Sequence, residues 1–451
     1  MDELLNRSAV AICADLRAGQ VSAERLMAAT LAHIAEVNPR LNAIVSLRDD
    51  DDLMMVARAA DAADPVGPLH GLPIAVKDLA NVAGLPTSMG SPALAGSIAQ
   101  TSDIMVRRMQ DAGAIVIGKT NTPAFGLGSH TTNPVFGPTE NALVPGTSAG
   151  GSSGGAAVAL ASHMVALADG SDMMGSLRNP AGWNGVYGLR PTWGRVPSEP
   201  VGDVFLHQLA TNGPMARHAA DLALLLDVQS GPDPRQPHGC AVEPVSPHIK
   251  EGKRPRLAWL GDWGGAYPME AGVLETCEAA LHDWNAEIIA PPLPAADLWE
   301  AWTTLRSWSV ATGLGPLYAQ AHTRKTLNAQ ALWEIEKGRG LSVSDINRAT
   351  LIRSQWFARA ATLFETYDAL VLPTAQCFPF PIHWDWPHEI GGVAMETYHR
   401  WMEVVIPASL IGLPAVAVPI AGQAMGLQFI GARGADLRLL QIGHMWDTAG
   451  G

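Results

Sequence analysis

The feature that most constrains this fold is a long polar run that ends in a helix. From Gly126 to Gly155 the chain is rich in Gly, Ser, Thr, Asn and Pro. An irregular stretch of that length inside a compact domain is uncommon unless it is functional. It closes on A-G-G-S-S-G-G, Ala149 to Gly155, and Ala156 to Ala161 then reads as a helix that starts directly after the glycines. That abrupt start weakens a flexible-linker reading. A nucleotide phosphate loop needs G-K-[ST] after its glycines, whereas Ala156 and Ala157 follow here. On these residues alone, the run is either a structural turn or a site.

Short apolar strands and helices alternate around it. Ser8 to Ala18 and Ser22 to Val37 read as helices capped by Ser8 and Ser22, with Leu26, Met27, Leu31 and Ile34 as a core stripe. Ile74-Ala75-Val76 is a short buried strand that delivers Lys77 and Asp78. Ser102 to Ala112 reads as a helix and Ala114 to Gly118 as a strand. Further strands are expected at Leu257 to Leu260, Leu370 to Leu372, Ala415 to Pro419 and Leu427 to Ile430. Helices are expected near Val273 to Trp284, Ala358 to Thr366 and Ala435 to Met445. This order predicts an α/β fold with a central mixed, largely parallel sheet covered on both faces by helices.

Composition narrows the function. The 451 residues are 47% hydrophobic and 16% charged, enough for a large core, and the formal net charge is −13. A negative surface argues against nucleic acid as a partner. The acidic run Asp49 to Asp52 reads as a solvated loop, and Lys250 to Arg256 as a linker into a strand. Met1 to Gln20 is interrupted by charges, and no window is apolar enough to span a membrane; neither a signal peptide nor a membrane partner is expected. Cys13, Cys240, Cys277 and Cys377 form no C-x-x-C pair, which points to reduced thiols and a cytoplasmic setting. The histidines show no metal-ligand spacing, so no metal or other cofactor is expected.

A second Gly/Ser segment, G-S-D-M-M-G-S-L-R-N-P-A at Gly170 to Ala181, follows the first. Together the two resemble the signature of the amidase signature family, and G-P-L-H-G-L-P-I-A-V-K-D at Gly67 to Asp78 resembles its lysine motif. Segments at Gly118 to Pro123, Asn133 to Thr139, Gly188 to Val196, Tyr367 to Thr374 and Gly412 to Pro419 also match the family's pattern. The resemblance implies one large domain over residues 1–451. Catalytic motifs fall in 66–200, a variable substrate-funnel region in 232–366, and a C-terminal part of the core in 367–451.

The resemblance also implies a Ser–Ser–Lys triad: Ser176 as nucleophile, Ser152 as the bridging serine after a cis Gly151–Ser152 bond, and Lys77 as base. A serine hydroxyl needs a base beside it, and lysine serves only when burial keeps it neutral. Backbone N–H groups of Met173, Met174, Gly175 and Ser176 would hold the oxyanion. Taken singly, a lysine at a strand end is usually an ion pair or a surface group, and a serine in a glycine turn usually bonds the backbone. Their joint occurrence in family order favours catalysis. Asp172 and Arg178 are expected to brace the loop, Ser153 to serve the turn, and His70 to be structural.

Two departures matter. Met174 stands where the family has glycine, so Met173 and Met174 either shape an acyl pocket or pack into the core. Asn179, expected with Met173, Met174 and Gly175 among the oxyanion-hole and substrate-binding residues, replaces the arginine that reads a substrate carboxylate in relatives acting on malonamate-like acids, which disfavours a carboxylate-bearing substrate. The tryptophans clustered from Trp299 to Trp401 are expected mostly in the core or an interface, with one or two walling the substrate funnel. The expected function is hydrolysis of a small-molecule amide through an acyl-enzyme on Ser176, possible also with esters or hydrazides, in a chain that could form a homodimer. The alternatives are an inactive binding protein on the same fold and a glutamine-hydrolysing A-type amidotransferase subunit.

Overall fold

The computed structural model describes residues 2–450. Its strands in chain order are β1 (Ile44–Val45), β2 (Pro73–Lys77), β3 (Ile115–Thr120), β4 (Leu167–Asp172), β5 (Tyr187–Arg190), β6 (Thr211–Ala216), β7 (Leu257–Trp259), β8 (Glu287–Ile288), β9 (Ala369–Pro373), β10 (Glu389–Ile390), β11 (Val393–Ala394), β12 (Ala415–Pro419) and β13 (Gly426–Ile430). Eleven of them form one sheet in the order β1-β3-β2-β4-β6-β5-β12-β13-β9-β7-β8, and β10 pairs with β11 apart from it.

The sheet is mixed, as expected. Parallel pairing joins β3, β2 and β4 on one side and β9, β7 and β8 on the other, with antiparallel pairs between the two blocks. Because β2 and β4 are parallel and Ala75 pairs with Ala168, Lys77 and the end of β4 come out on the same sheet edge.

Strand alternation divides the core between two faces. Ile74, Val76, Val116 and Leu167 pack into one cluster with Met105, Met109, Leu222, Leu439 and Leu440 from helices. Ala75, Ile115, Ile117 and Ala168 pack into the other, with Met27, Leu31, Leu53 and the buried helix Gly154–Ala161. A third, smaller cluster joins Leu127, Val310, Ala331, Ile335 and Tyr398.

Several expected elements shift at their ends. Ser8 and Ser22 cap helices Ala9–Arg17 and Ala23–Leu41 by accepting from Ala11 N and Arg25 N, contacts that typically stabilise a helix by about 1 kcal/mol each. The Asp49–Asp52 run is not a loop. Asp49 caps helix Asp50–Asp61, accepting from Asp51 N and Asp52 N, and the remaining acids fill the first turn, where the helix dipole favours negative charge. The helix expected at Ala358 begins far earlier and spans Val343–Phe364, and Ala295–Ala319 and Ala329–Arg339 are helices that the sequence reading left unassigned.

Candidate active site

Lys77 ends β2 and is 1% exposed. Its backbone N–H donates to Asp169 Oδ1 at 2.9 Å, fixing the strand end against β4. The Nζ lies 2.8 Å from Ser152 Oγ, 2.8 Å from Ser153 Oγ and 3.1 Å from Ser171 Oγ. These neighbours are neutral hydroxyls, with the Ser171 carbonyl oxygen at 3.4 Å, and among the described residues no carboxylate touches the amine. Burial pushes Lys77 down to about 7, against the opposing pull of the Asp169 and Asp172 carboxylates. Lys119, buried beside it on β3, is the contrast: its Nζ sits 3.3 Å from Asp78 Oδ1, an ion pair that braces the neighbouring loop.

The polar run before Ser152 is buried and satisfies its own backbone. Ser129 Oγ donates to Gly151 O at 2.8 Å, Thr131 Oγ1 to Gly150 O at 2.7 Å, and Gly150 N donates to Ser148 Oγ at 3.1 Å. This accounts for the composition: a buried irregular loop needs short polar side chains to pair its backbone groups. The Gly151–Ser152 peptide is cis, as the resemblance implied. Ser153 does more than serve the turn, since its hydroxyl is one of the three around Lys77.

Ser176 follows β4 on a tight turn. Gly175 has φ +79°, and a Cβ there would come within 2.8 Å of Val405, so this position excludes a side chain. Met174 has an ordinary negative φ, which lets it replace the usual glycine. The Asp172 carboxylate accepts from Gly175 N at 2.9 Å, Leu177 N at 3.2 Å, Arg178 Nε at 2.9 Å and Arg190 Nη1 at 3.1 Å. Burial would raise its pKa, but the Arg178 and Arg190 guanidiniums overcome this and hold it well below the usual carboxylate range. Arg178 also reaches Val405 O and Ser409 Oγ, tying the turn to the C-terminal part of the core. Asp172 and Arg178 thus brace the loop as expected, and Arg190 joins them.

The backbone donors of this turn do not behave alike. The Gly175 N–H is committed to Asp172. Those of Met173, Met174 and Ser176 have no hydrogen-bond partner among the described residues. The methionines divide: Met174 is buried and its Sδ accepts from Trp302 Nε1 at 3.1 Å, while Met173 lines a cavity. Asn179 lies under the serine loop, where its Oδ1 accepts from Gly151 N at 3.3 Å, and it does not line that cavity.

The cavity has a volume of about 280 Å³, and Ser152, Ser171 and Ser176 share its lining. The structure therefore brings the three expected triad residues to one place. Lys77 and Ser152 are at hydrogen-bond distance, and among the described residues no hydrogen bond joins Ser152 to Ser176. Sequence reading missed Ser171, although strand alternation places it on the same side of β4 as Asp169. It also expected tryptophan in the funnel wall; no tryptophan lines this cavity. Trp183, Trp302, Trp356 and Trp401 are fully buried instead, and Phe125 is the aromatic lining residue. His70 is structural, with Nε2 2.9 Å from Ala60 O.

Comparison with known proteins settles the family. The family model described as Amidase matches residues 25–440. The chain belongs to the amidase signature family. It is 32% identical to an acylamidase of Rhodococcus erythropolis, over 98% of this chain and 95% of the relative. It is 34% identical to a glutamyl-tRNA(Gln) amidotransferase subunit of Thermus thermophilus, over 96% and 94%. Among solved structures, a bacterial aryl acylamidase of the amidase signature family superposes with a TM-score of 0.91 at 27% identity, covering 98% of this chain and 96% of that one. Like other members of the amidase signature family, this chain is a hydrolase acting on amides, built as a single large α/β domain.

Proposed function

We propose that Ser176 is the nucleophile, Lys77 the base and Ser152 the hydroxyl that links them. Neutral Lys77 takes the Ser152 proton as Ser152 takes the proton of Ser176. The Ser176 oxygen forms a bond to the amide carbonyl carbon, and the carbonyl becomes an oxyanion. The proton then returns along the same path to the amide nitrogen, the C–N bond breaks, and the amine leaves with it. Water enters, loses a proton to the same relay, and releases the acid from Ser176.

The observation that carries this reading is the surroundings of Lys77: a sealed amine among three hydroxyls with its pKa near 7. A structural lysine would have a carboxylate partner, as Lys119 has in Asp78. For the oxyanion, the unpaired N–H groups of Met173, Met174 and Ser176 are the donors. Gly175 contributes the turn, its N–H being held by Asp172. In mutagenesis of other enzymes, losing one such donor costs about 100- to 1,000-fold in rate. Asn179 acts from beneath, holding Gly151 rather than the substrate. The 232–366 region supplies Val310 and Leu314 to the cavity wall, which fits a substrate-funnel role.

The test is hydrolysis of a panel of aliphatic, aryl and amino-acid amides. Ser176→Ala is expected to remove activity and Lys77→Ala to reduce it by at least about 10⁴-fold, as for other members of a nucleophile–base unit. Wild-type turnover by a folded Lys77→Ala protein would exclude Lys77 as the base. Similarity to the amidotransferase supports a second reading, ammonia release from glutamine. Glutaminase activity that depends on an added partner protein would favour it.

A further inference from the structure

We propose that the cavity beside Ser176 is a neutral acyl pocket: it accepts small uncharged alkyl or aryl carboxamides and rejects amides whose acyl chain carries a carboxylate or an ammonium. The inference rests on the serine-amidase reading above. The walls are Leu79, Phe125, Leu127, Met173, Val310 and Leu314, and the polar side chains in the lining are those of Ser152, Ser171, Ser176 and Ser309. No charged side chain lines the cavity among the described residues.

The charges just behind the wall are already committed. Arg306 Nη1 reaches Met173 Sδ at 3.4 Å, but its other nitrogens hold Glu334 Oε1 and Tyr398 OH, both at 2.7 Å. Asp172 is saturated by two arginines and two backbone donors. Asp169 is 1% exposed and receives the Lys77 N–H. Lys77 itself must be neutral to act. A charged acyl chain entering this space would give up its hydration and find no counter-ion, an arrangement that buried charges do not tolerate. The volume, about 280 Å³, is just under the range of roughly 300–1,000 Å³ usual for drug-sized ligands, which sets the scale of the acyl group at a short chain or a single ring.

Glutamine, with both an ammonium and a carboxylate on its acyl chain, fits such a pocket poorly, so glutamine hydrolysis by this chain would count against the proposal. Leu314 and Val310 stand on helix Ala295–Ala319 and face the cavity from the region where family motifs are few. They are the positions where a change of wall should change the acyl group accepted.

The experiment uses the full chain and 4-nitroanilides, with butyryl and benzoyl as neutral acyl groups and succinyl and glycyl as charged ones. The kcat/KM for butyryl is expected to exceed that for succinyl and glycyl by at least about 100-fold, because an apolar pocket already discriminates by roughly that factor against a single added hydroxyl. Leu314→Arg should recover succinyl turnover by about tenfold or more, as a counter-ion is restored. Should Leu314→Arg fail to fold, Leu314→Ala tests the same wall by moving preference from butyryl towards benzoyl. Intact-protein mass spectrometry after 4-nitrophenyl butyrate or the succinyl mono-ester provides a second readout. An adduct on Ser176 from the neutral ester and none from the charged one supports the pocket even without amide turnover. Comparable kcat/KM, or comparable adducts, for neutral and charged acyl groups would overturn the pocket and leave the Ser176 chemistry standing. No turnover of any nitroanilide together with no adduct on Ser176 would overturn the amidase reading itself.

Discussion

Two buried ion networks flank the cavity, and they differ in what they hold. Under the turn, Asp172 binds Arg178 and Arg190 and accepts from the backbone of Gly175 and Leu177. Behind Met173, Glu334 accepts from Arg306 Nε and Tyr398 OH at 2.7 Å each and from Ser307 Oγ at 2.5 Å. Both carboxylates are held below their usual range: burial opposes this in each, and the arginines prevail. The first network fixes main chain next to the nucleophile. The second fixes side chains that join two helices, and it meets the turn through Arg306 and the sulfur of Met173. The same device therefore serves the reaction geometry on one side and the shape of the substrate wall on the other.

The comparison breaks most visibly at Asp172. Asp172→Ala leaves two fully buried guanidiniums without a counter-ion, which should destabilise the protein by about 3–5 kcal/mol and remove activity by freeing the turn. Urea unfolding with a parallel activity assay measures both. Glu334→Gln keeps the shape of the site but removes the charge paired with Arg306 and turns one acceptor oxygen into an N–H donor, so a loss of about 3 kcal/mol is expected, with kcat for the smallest substrate falling by less than about tenfold. Equal losses of activity in the two variants, measured on folded protein, would erase the division of labour.

The methionines sharpen it further. Met173→Leu and Met174→Leu conserve volume, so each should cost less than about 1.5 kcal/mol in thermal or urea unfolding. Met173→Leu removes the sulfur that meets Arg306 at the cavity wall and should change the ratio of kcat/KM between butyryl and benzoyl substrates. Met174→Leu removes the acceptor for Trp302 inside the core and should leave that ratio unchanged.

What could be read from the sequence follows the same division. Lys77, Ser152, Ser176, Asp172 and Arg178 lie in short segments whose order and spacing resemble one family, and the structure gathers them at one sheet edge. Arg306, Glu334 and Tyr398 carry no such mark. Arg306 and Glu334 are ordinary charges on separate helices, and they meet only because Ala295–Ala319 packs against Ala329–Arg339. Helix packing of this kind depends on tertiary geometry that residue spacing does not encode. Ser171 and Arg190 stand inside the Gly170–Ala181 and Gly188–Val196 segments, yet residue order gives neither a role; that of each becomes visible only once β2, β4 and β5 are in register. Asn179 stands in the same motif and was expected at the substrate; its Oδ1 accepts from Gly151 N, and it is not among the residues lining the cavity.

The central claim is that an uncharged Lys77 drives acylation of Ser176, and the pH dependence of acylation tests it most directly. A folded-state pKa of about 7 means that the amine is protonated and idle below that value and free to accept a proton above it. The account predicts that pre-steady-state acylation by a neutral amide or ester falls about tenfold per pH unit on the acid side of a limb near pH 7 and levels off above it. A rate that is flat from pH 5.5 to 9, or a limb near the ordinary lysine value of about 10.4, would contradict it.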